Sequence, residues 1–254
     1  TCEYCRRDRE ELCEDLLFWN GAYAEYALIP ARIVAKNLLP LPAGFPLHKA
    51  ALVEPLACAV RGIEDSHVHG GQDVAVLGAG PLGLMLLEVA RQRGARVVVA
   101  GRSARGLDAA RRLGAAEVVS ALAGDLVSQL RERSPGGRGF EVVIEAVGQP
   151  ETSRQALACV RKGGTVNLFG GCAAGAELTL DLQRFHYEEL ALLATFHHTP
   201  AAIREACRLV VEGIVDAAEY TIGEAPLAEL PAVLGEIASG RRSLKTIIRP
   251  QSTK

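Results

Sequence analysis

The sequence predicts an α/β fold built on a doubly wound parallel sheet. Three observations carry the prediction. From Asp73 onward, short β-branched runs alternate with helical stretches. The runs are apolar without polar alternation, as strands buried on both faces are. The first run leads at once into a glycine-rich turn, GAGPLG. Strand–helix alternation of this kind implies right-handed crossovers and helices on both faces of one sheet.

Taken in order, the first strand is DVAVL (73–77), with a helix following to Arg93. RVVVA (96–100) comes next, with a helix to Leu113, then EVV (117–119) and a short helix from about Asp125. FEVVI (140–144), a helix from Pro150, TVNLF (165–169) and LALLATF (190–196) complete the alternation. The last run is apolar and falls at a sheet edge, where unpaired N–H and C=O groups are exposed. A further helical segment, PAAIREACRLVVEG (200–213), follows the sheet.

The GAGPLG turn sets Gly78, Gly80 and Gly83 in G-x-G-x-x-G spacing, with Pro81 and Leu82 before the third glycine. In such a loop the first glycine permits the tight turn and the second lets the backbone approach a pyrophosphate. The third lets the helix pack closely on the strand. The helix that follows offers free N–H groups to the phosphate charge. The spacing alone is a weak signal; a strand before it and a helix after it are the confirming context. A dinucleotide site is expected here.

Composition bounds the rest. The chain has 254 residues, 49% of them hydrophobic and 23% charged, enough for a sizeable core. Its 28 basic and 30 acidic residues leave a net charge of −2. That balance offers no basic stripe for a nucleic-acid backbone. No apolar run reaches membrane-spanning length, so neither a nucleic-acid nor a membrane partner is expected. Four of the seven cysteines, Cys58, Cys159, Cys172 and Cys207, are scattered through apolar stretches. They read as reduced, buried small hydrophobes of a cytoplasmic protein.

The other three cysteines are bunched at the start, in TCEYCRRDREELC. Cys2, Cys5 and Cys13 look like part of a metal site, although a closed structural zinc site usually has four ligands.

With these motifs in view, the chain resembles the zinc-dependent medium-chain dehydrogenases, the alcohol and polyol dehydrogenase superfamily. The resemblance runs from residue 1 to about residue 250. It rests on GAYAEYALIP (21–30), AALVEPLACAVRGI (50–63), VLGAGPLGL (76–84), VVIEAVGQPET (142–152), RKGGTVNLFGG (161–171) and SLKTII (243–248), in that order. EPL at 54–56 points to the polyol, threonine and sorbitol-type branch.

The resemblance implies a nicotinamide-dependent dehydrogenase that oxidises a secondary alcohol or polyol to a ketone. It also implies a doubly wound dinucleotide-binding (Rossmann) domain over 56–198. An incomplete, GroES-like, β-rich catalytic domain is implied over 1–55 and 199–254. The family's zinc lobe is spaced C-x2-C-x2-C-x7-C, and Cys2, Cys5 and Cys13 match its last three ligands. The remaining cysteine would lie two positions before Thr1, so the chain is expected to be a fragment cut inside that lobe. Asp8 stands where the family commonly has glycine.

The family's catalytic zinc takes a cysteine, a His-Glu pair and a later acidic or cysteine position, and only the last falls within this chain, at Glu54. The fragment alone is therefore expected to be inactive. Glu54 is both the catalytic and the metal candidate; on its own residues it also reads as a helix N-terminal acid before Pro55. The resemblance further places Ala146, Val147, Phe169 and Gly170 beside the cofactor, and Lys245 at its pyrophosphate. A homodimer or homotetramer, paired through the last strand, is implied for the complete protein. The alternative class is a zincless, non-catalytic dinucleotide module of quinone-reductase type.

VVVAGRS (97–103) bears on which nicotinamide is bound. NAD-binding versions of this fold place a carboxylate at the end of the second strand to hold the ribose hydroxyls. Gly101 stands there instead, followed by Arg102 and Ser103. Glycine leaves room for a 2′-phosphate, and arginine supplies a charged fork for it. NADP is expected over NAD. Ser103 also reads as the cap of the next helix. Of the histidines, His67 and His69 read as turn residues, and His197 and His198 in FHHTP as structural or surface groups.

Overall fold

The computed structural model describes residues 2–215, 217–241 and 244–250. Ahead of the sheet lie α1 (Glu3–Arg6), α2 (Ala31–Asn37), α3 (Leu47–Ala50) and α4 (Val53–Asp65). The alternating portion follows as β1 (Asp73–Leu77), α5 (Pro81–Gln92), β2 (Arg96–Gly101), α6 (Ala104–Arg112), β3 (Glu117–Ser120) and α7 (Leu126–Glu132). It continues through β4 (Phe140–Glu145), α8 (Pro150–Cys159), β5 (Val160–Leu168), α9 (Leu182–Tyr187) and β6 (Ala191–Ala194). The remaining elements are α10 (Pro200–Val211), β7 (Thr221–Pro226), α11 (Leu230–Ala238) and β8 (Lys245–Arg249). Two compact units result, one of Thr1–Cys58 with His197–Lys254 and one of Ala59–Phe196.

In the unit of 59–196, six parallel strands run in the order β3-β2-β1-β4-β5-β6. This is the doubly wound sheet the sequence predicts. Ala75 and Leu77 of β1 join Val98, Ala100, Val143 and Val166 in a core with Leu126 and Leu130 of α7 and Ala156 and Leu157 of α8. Val74 and Val76, pointing to the opposite face, are equally buried. Two covered faces leave no face for polar residues, which explains the missing alternation.

Helix starts follow local chemistry. Pro81 occupies the first turn of α5, where its missing N–H costs nothing. Asp125 caps α7 by accepting from the Ser128 amide at 2.8 Å; the Ser128 side chain, and then that amide, hold the Asp125 carboxyl below its usual range. β5 begins at Val160 rather than at Thr165. Its register against β4 shifts between Phe140↔Val160 and Val142↔Thr165, and Gly163, at φ 69°, falls within the irregularity.

β6 has β5 as its sole neighbour among the described residues. No helix among the described residues is long and apolar enough to cross a membrane.

The other unit holds β7 paired in parallel with β8, and α10 packs on α2 and α3. The β-rich character expected there is confined, among the described residues, to these two strands. Residues 21–30 (GAYAEYALIP) form neither helix nor strand. A strand needs a neighbour to take its N–H and C=O groups, and here the indole of Trp19 donates to the Leu28 carbonyl instead, at 3.0 Å. Asp8 adopts φ 56°, a left-handed conformation that aspartate tolerates better than most residues. The backbone geometry that suits glycine there is thus kept.

One polar group at the sheet's carboxyl edge ties several elements together. Glu145, the last residue of β4, has no exposed surface. Its Oε1 accepts from the amides of Val147 (2.8 Å) and Gly148 (2.9 Å) and from Thr152 Oγ1 (2.7 Å). Its carbonyl accepts from the amides of Phe169 and Gly170. Removing a buried acceptor strands its donors, at about 1–3 kcal/mol or more for charged groups. Glu145→Ala is therefore expected to lower the unfolding free energy by about 3 kcal/mol, read from urea denaturation. A loss below about 1 kcal/mol would show that the loop stands without the carboxylate.

Candidate dinucleotide and metal sites

The strand order reverses between β1 and β4, and ligands of open α/β sheets bind outside the carboxyl ends at such a switch point. The GAGPLG turn emerges there from β1, and each glycine has a separate physical reason. Gly78 sits at φ 129°, a backbone state that side chains rarely adopt. A Cβ on Gly83 would lie 1.8 Å from the Gly78 carbonyl oxygen, so the first turn of α5 requires glycine. A Cβ on Gly80 would meet no atom within 4 Å. The backbone at Gly80 is thus open on the side where a phosphate would approach, at the N-cap of α5.

β4 supplies the second wall. A Cβ on Gly78 would lie 3.1 Å from the Ala146 carbonyl oxygen and 3.3 Å from Val147 Cγ2. Gly170 is packed as tightly on Gly148, and Phe169 reaches under Gly62 of α4. Ala146, Val147, Phe169 and Gly170 therefore gather with the glycine turn at one edge of the sheet.

The end of β2 forms the third wall, and here packing adds a reason the sequence does not show. A Cβ on Gly101 would fall 2.4 Å from Ala79 Cβ, and one on Gly106 would fall 2.2 Å from the Ala79 carbonyl oxygen. Ala79 is wedged between β2 and α6, so Gly101 is needed for packing whichever ligand binds. Ser103 caps α6, accepting from the Gly106 amide at 3.3 Å. Arg102 is exposed and makes no ion pair among the described residues. Lys245 lies in β8, in the other unit, where its amide donates to the Tyr220 carbonyl at 2.8 Å.

In the unit of 1–58 and 197–254, two sets of metal-type donors come together. The first is Cys2, Cys5 and Cys13. Cys2 Sγ lies 3.7 Å from Cys5 Sγ and 4.0 Å from Cys13 Sγ. A zinc tetrahedron with bonds of about 2.3 Å has edges of about 3.8 Å, so the thiols fit a zinc ion. The amides of Cys5 and Glu14 beside Cys2 pull its thiol down to about 7. Hydrogen bonding with the Cys13 thiol, aided by burial, pushes Cys5 up.

The second set is Glu54, Cys58 and His197, whose donor atoms all lie within 4.8 Å of one another. Glu54 is at the first turn of α4, which suits its charge, and Cys58 one turn later sits on the same face, its Sγ 3.6 Å from Glu54 Oε1. His198 Nε2 is 3.5 Å from the same oxygen. Sequence reasoning singled out Glu54 but left Cys58 among the scattered apolar cysteines and both histidines as structural. The i, i+4 spacing of Glu54 and Cys58 was the available signal; nothing in FHHTP indicated its distant partner. Glu145 was missed as well, hidden as the polar end of an apolar strand.

A parallel sheet with a glycine turn open at its switch point is the arrangement of dinucleotide-binding α/β proteins, and three thiols lie together in the other unit. Comparison with known proteins then places the chain. Residues 81–212 match the family model for zinc-binding dehydrogenases. The chain is 32% identical to D-arabinitol dehydrogenase 1 of Uromyces fabae, over 98% of this chain and 71% of that protein. It is 31% identical to L-galactonate-5-dehydrogenase of Escherichia coli K12, over 97% and 72%. Among solved structures, alcohol dehydrogenase TADH of Thermus sp. ATN1 superposes with a TM-score of 0.88 at 29% identity, over 98% and 74%. A protein of Sinorhizobium meliloti 1021 described as a zinc-binding dehydrogenase, solved bound to NADP, superposes at 0.85 with 30% identity, over 92% and 68%. The chain belongs to the zinc-binding dehydrogenase family.

The Gly83 contact yields a direct test of the loop. Gly83→Ala must push the Gly78 carbonyl away, at about 1–3 kcal/mol for an overpacked methyl. The variant is expected to lose that much stability and to bind NADPH at least tenfold more weakly in a fluorescence titration. Wild-type affinity in Gly83→Ala would mean that this turn does not form the phosphate cradle.

Proposed function

We propose that this chain carries the cofactor-binding domain and part of the catalytic domain of a zinc-dependent, NADP-linked dehydrogenase acting on a secondary alcohol or polyol. The observation that carries the reading is the glycine turn at the switch point, open at Gly80 and walled by Ala146–Val147 and the end of β2. The polyol substrate class is supported by the relatives, D-arabinitol dehydrogenase and L-galactonate-5-dehydrogenase among them. The two compact units support a division into a cofactor domain near 56–198 and catalytic segments on either side.

Residues of this chain divide the work. Gly80 and the amides opening α5 hold the pyrophosphate. Phe169 and Gly170 close the site at the nicotinamide end, and the nicotinamide supplies the hydride acceptor. Cys2, Cys5 and Cys13 hold a structural zinc. Glu54 faces the catalytic zinc, which when bound supplies a Lewis acid that eases loss of the substrate alcohol's proton. The zincless, non-catalytic alternative is disfavoured by thiols already set at tetrahedral spacing.

NADP over NAD rests on Arg102, since Gly101 is also demanded by Ala79. No carboxylate ends β2 to repel a 2′-phosphate, and Arg102 is exposed beside that end. The bound NADP of the Sinorhizobium meliloti protein supports the choice. Wild type is expected to bind NADPH more tightly than NADH. Arg102→Ala should weaken NADPH by roughly tenfold, the worth of one charge-assisted bond, and leave NADH within about twofold. Preference for NADH in wild type, or unchanged NADPH affinity in Arg102→Ala, would remove this reading.

The thiol lobe is tested separately. Cys13→Ser is expected to release the zinc held there, by elemental analysis, without changing NADPH affinity. Zinc content equal to wild type would show that the three thiols do not hold it.

A further inference from the structure

We propose that a cavity at the amino edge of the parallel sheet, lined by Arg131, Arg138, Arg161, Lys162 and Arg184, is a binding site for a small anion carrying phosphate groups. It lies wholly within the unit of 59–196. The glycine turn belongs to the opposite edge of the sheet. β4 runs from Phe140 beside the cavity to Glu145 at that other edge, about 17 Å at about 3.3 Å per residue.

Three segments build the cavity. The loop from α7 to β4 carries Arg138 between Gly137 and Gly139, whose φ angles are 69° and 102°. A Cβ on Gly139 would lie 2.5 Å from the Cys159 carbonyl oxygen, so glycine alone lets the loop pass this close to the end of α8. β5 begins at Val160 and presents Arg161 and Lys162 ahead of the turn at Gly163. That turn is tied to the end of α9, the Gly163 amide donating to the Glu188 carbonyl at 2.7 Å. Arg184 comes from α9 itself. The cavity measures about 410 Å³, within the range of small-molecule sites.

Its charge is lopsided. Five cationic side chains line it, against the single carboxylate of Glu188. Two of the five are matched by acids: Arg184 Nε donates to Glu188 Oε2 at 2.9 Å, and Arg161 Nη2 to Glu141 Oε1 at 2.8 Å. Arg131 donates instead to backbone carbonyls, from Nη1 to Ala158 at 3.2 Å and from Nε to Gly137 at 3.4 Å. Arg184 Nη1 also holds the Leu157 carbonyl, at 2.9 Å. Carbonyls at the end of a helix suit such groups. They orient the Arg131 fork and leave its charge uncancelled. Arg138 and Lys162 are exposed and make no hydrogen bond or ion pair among the described residues. Exposed arginines elsewhere in the unit pair with acids, as Arg96 does with Asp73, Arg111 with Asp108 and Arg154 with Glu151. Helix capping accounts for Arg131 and Arg184. It does not account for Arg138 and Lys162.

The chemistry of the lining selects the ligand. Guanidinium forks match phosphate oxygens in pairs, and a lysine adds a point charge. A phosphoryl group carries a charge of about −1.5 to −2 near neutral pH. Three cations without acid partners therefore suit a pyrophosphate or a phosphate ester better than a monovalent ion. An anion among them also relieves their mutual repulsion, so its binding stabilises the folded unit.

The test titrates the full chain with pyrophosphate by calorimetry, and separately with citrate, a tricarboxylate of similar charge. Wild type is expected to take up one equivalent of pyrophosphate, more tightly than citrate, and to unfold at a higher temperature with it bound. The combined variant Arg138→Ala, Lys162→Ala should weaken pyrophosphate by about tenfold or more, the worth of one charge-assisted bond. Its NADPH affinity should stay within about twofold of wild type, since neither side chain belongs to the dinucleotide edge. Saturating NADPH should leave pyrophosphate binding unchanged. No uptake of pyrophosphate at millimolar concentration, or equal affinity in the combined variant, would overturn the proposal. Displacement by NADPH would place the pyrophosphate at the glycine turn and overturn it too. Citrate bound as tightly as pyrophosphate would overturn the assignment to phosphate. Pyrophosphate held as expected by a chain that binds no NADPH would uphold this site and overturn the dinucleotide reading instead.

Discussion

The buried carboxylate of Glu145 is the interaction on which the dinucleotide edge depends. It ends β4, and its side chain collects two amides and a hydroxyl from the loop that leads into α8. Its carbonyl meanwhile holds the amides of Phe169 and Gly170 at the end of β5. One residue thus fixes the exits of two neighbouring strands. Ala146 and Val147, held in this way, form the wall against which Gly78 turns. A buried polar group is costly unless its hydrogen bonds are met, and here they are met by the very groups that need ordering.

The remaining walls are fixed by close packing. Ala79 lies where any side chain on Gly101 or Gly106 would have to be, and Gly83 lies against the Gly78 carbonyl. Of the three motif glycines, only Gly80 faces open space. The other two serve the protein's own packing or turn. Further along β5, buried Asn167 donates to Ser66 Oγ, Thr195 Oγ1 and the Gly62 carbonyl, joining the end of α4 to β5 and β6. Apolar packing sets the sheet, while a few buried polar groups set the positions of its loops.

Much of this was legible in the sequence, for a specific reason. Parallel strands buried on both faces write themselves as β-branched runs, and DVAVL and FEVVI match β1 and the bulk of β4. Glycine at Gly78 and Gly83 is required by local backbone geometry, so spacing alone points to the turn. The start of β5 was illegible because a shifted register around Gly163 depends on the partner strand. Residues 21–30 carry strand-like composition but lack a strand neighbour, and composition cannot supply one. Gly101 read as room for a ligand, yet its tightest neighbour is Ala79, brought close only by folding.

By itself, then, the sequence determined the layered α/β class, the glycine turn, the thiol triad and the family. All four are written in short-range patterns: strand period, motif spacing and cysteine separation. Tertiary structure alone decided that Glu145 organises the sheet edge, that Ala79 claims the space beside Gly101, and that His197 joins Glu54 and Cys58. The last two are contacts between residues far apart in the chain, as is the hold of the Glu145 carbonyl on Phe169 and Gly170. Such contacts exist only after the apolar runs have packed, since packing brings the groups within a few ångströms and removes the water that would otherwise satisfy them.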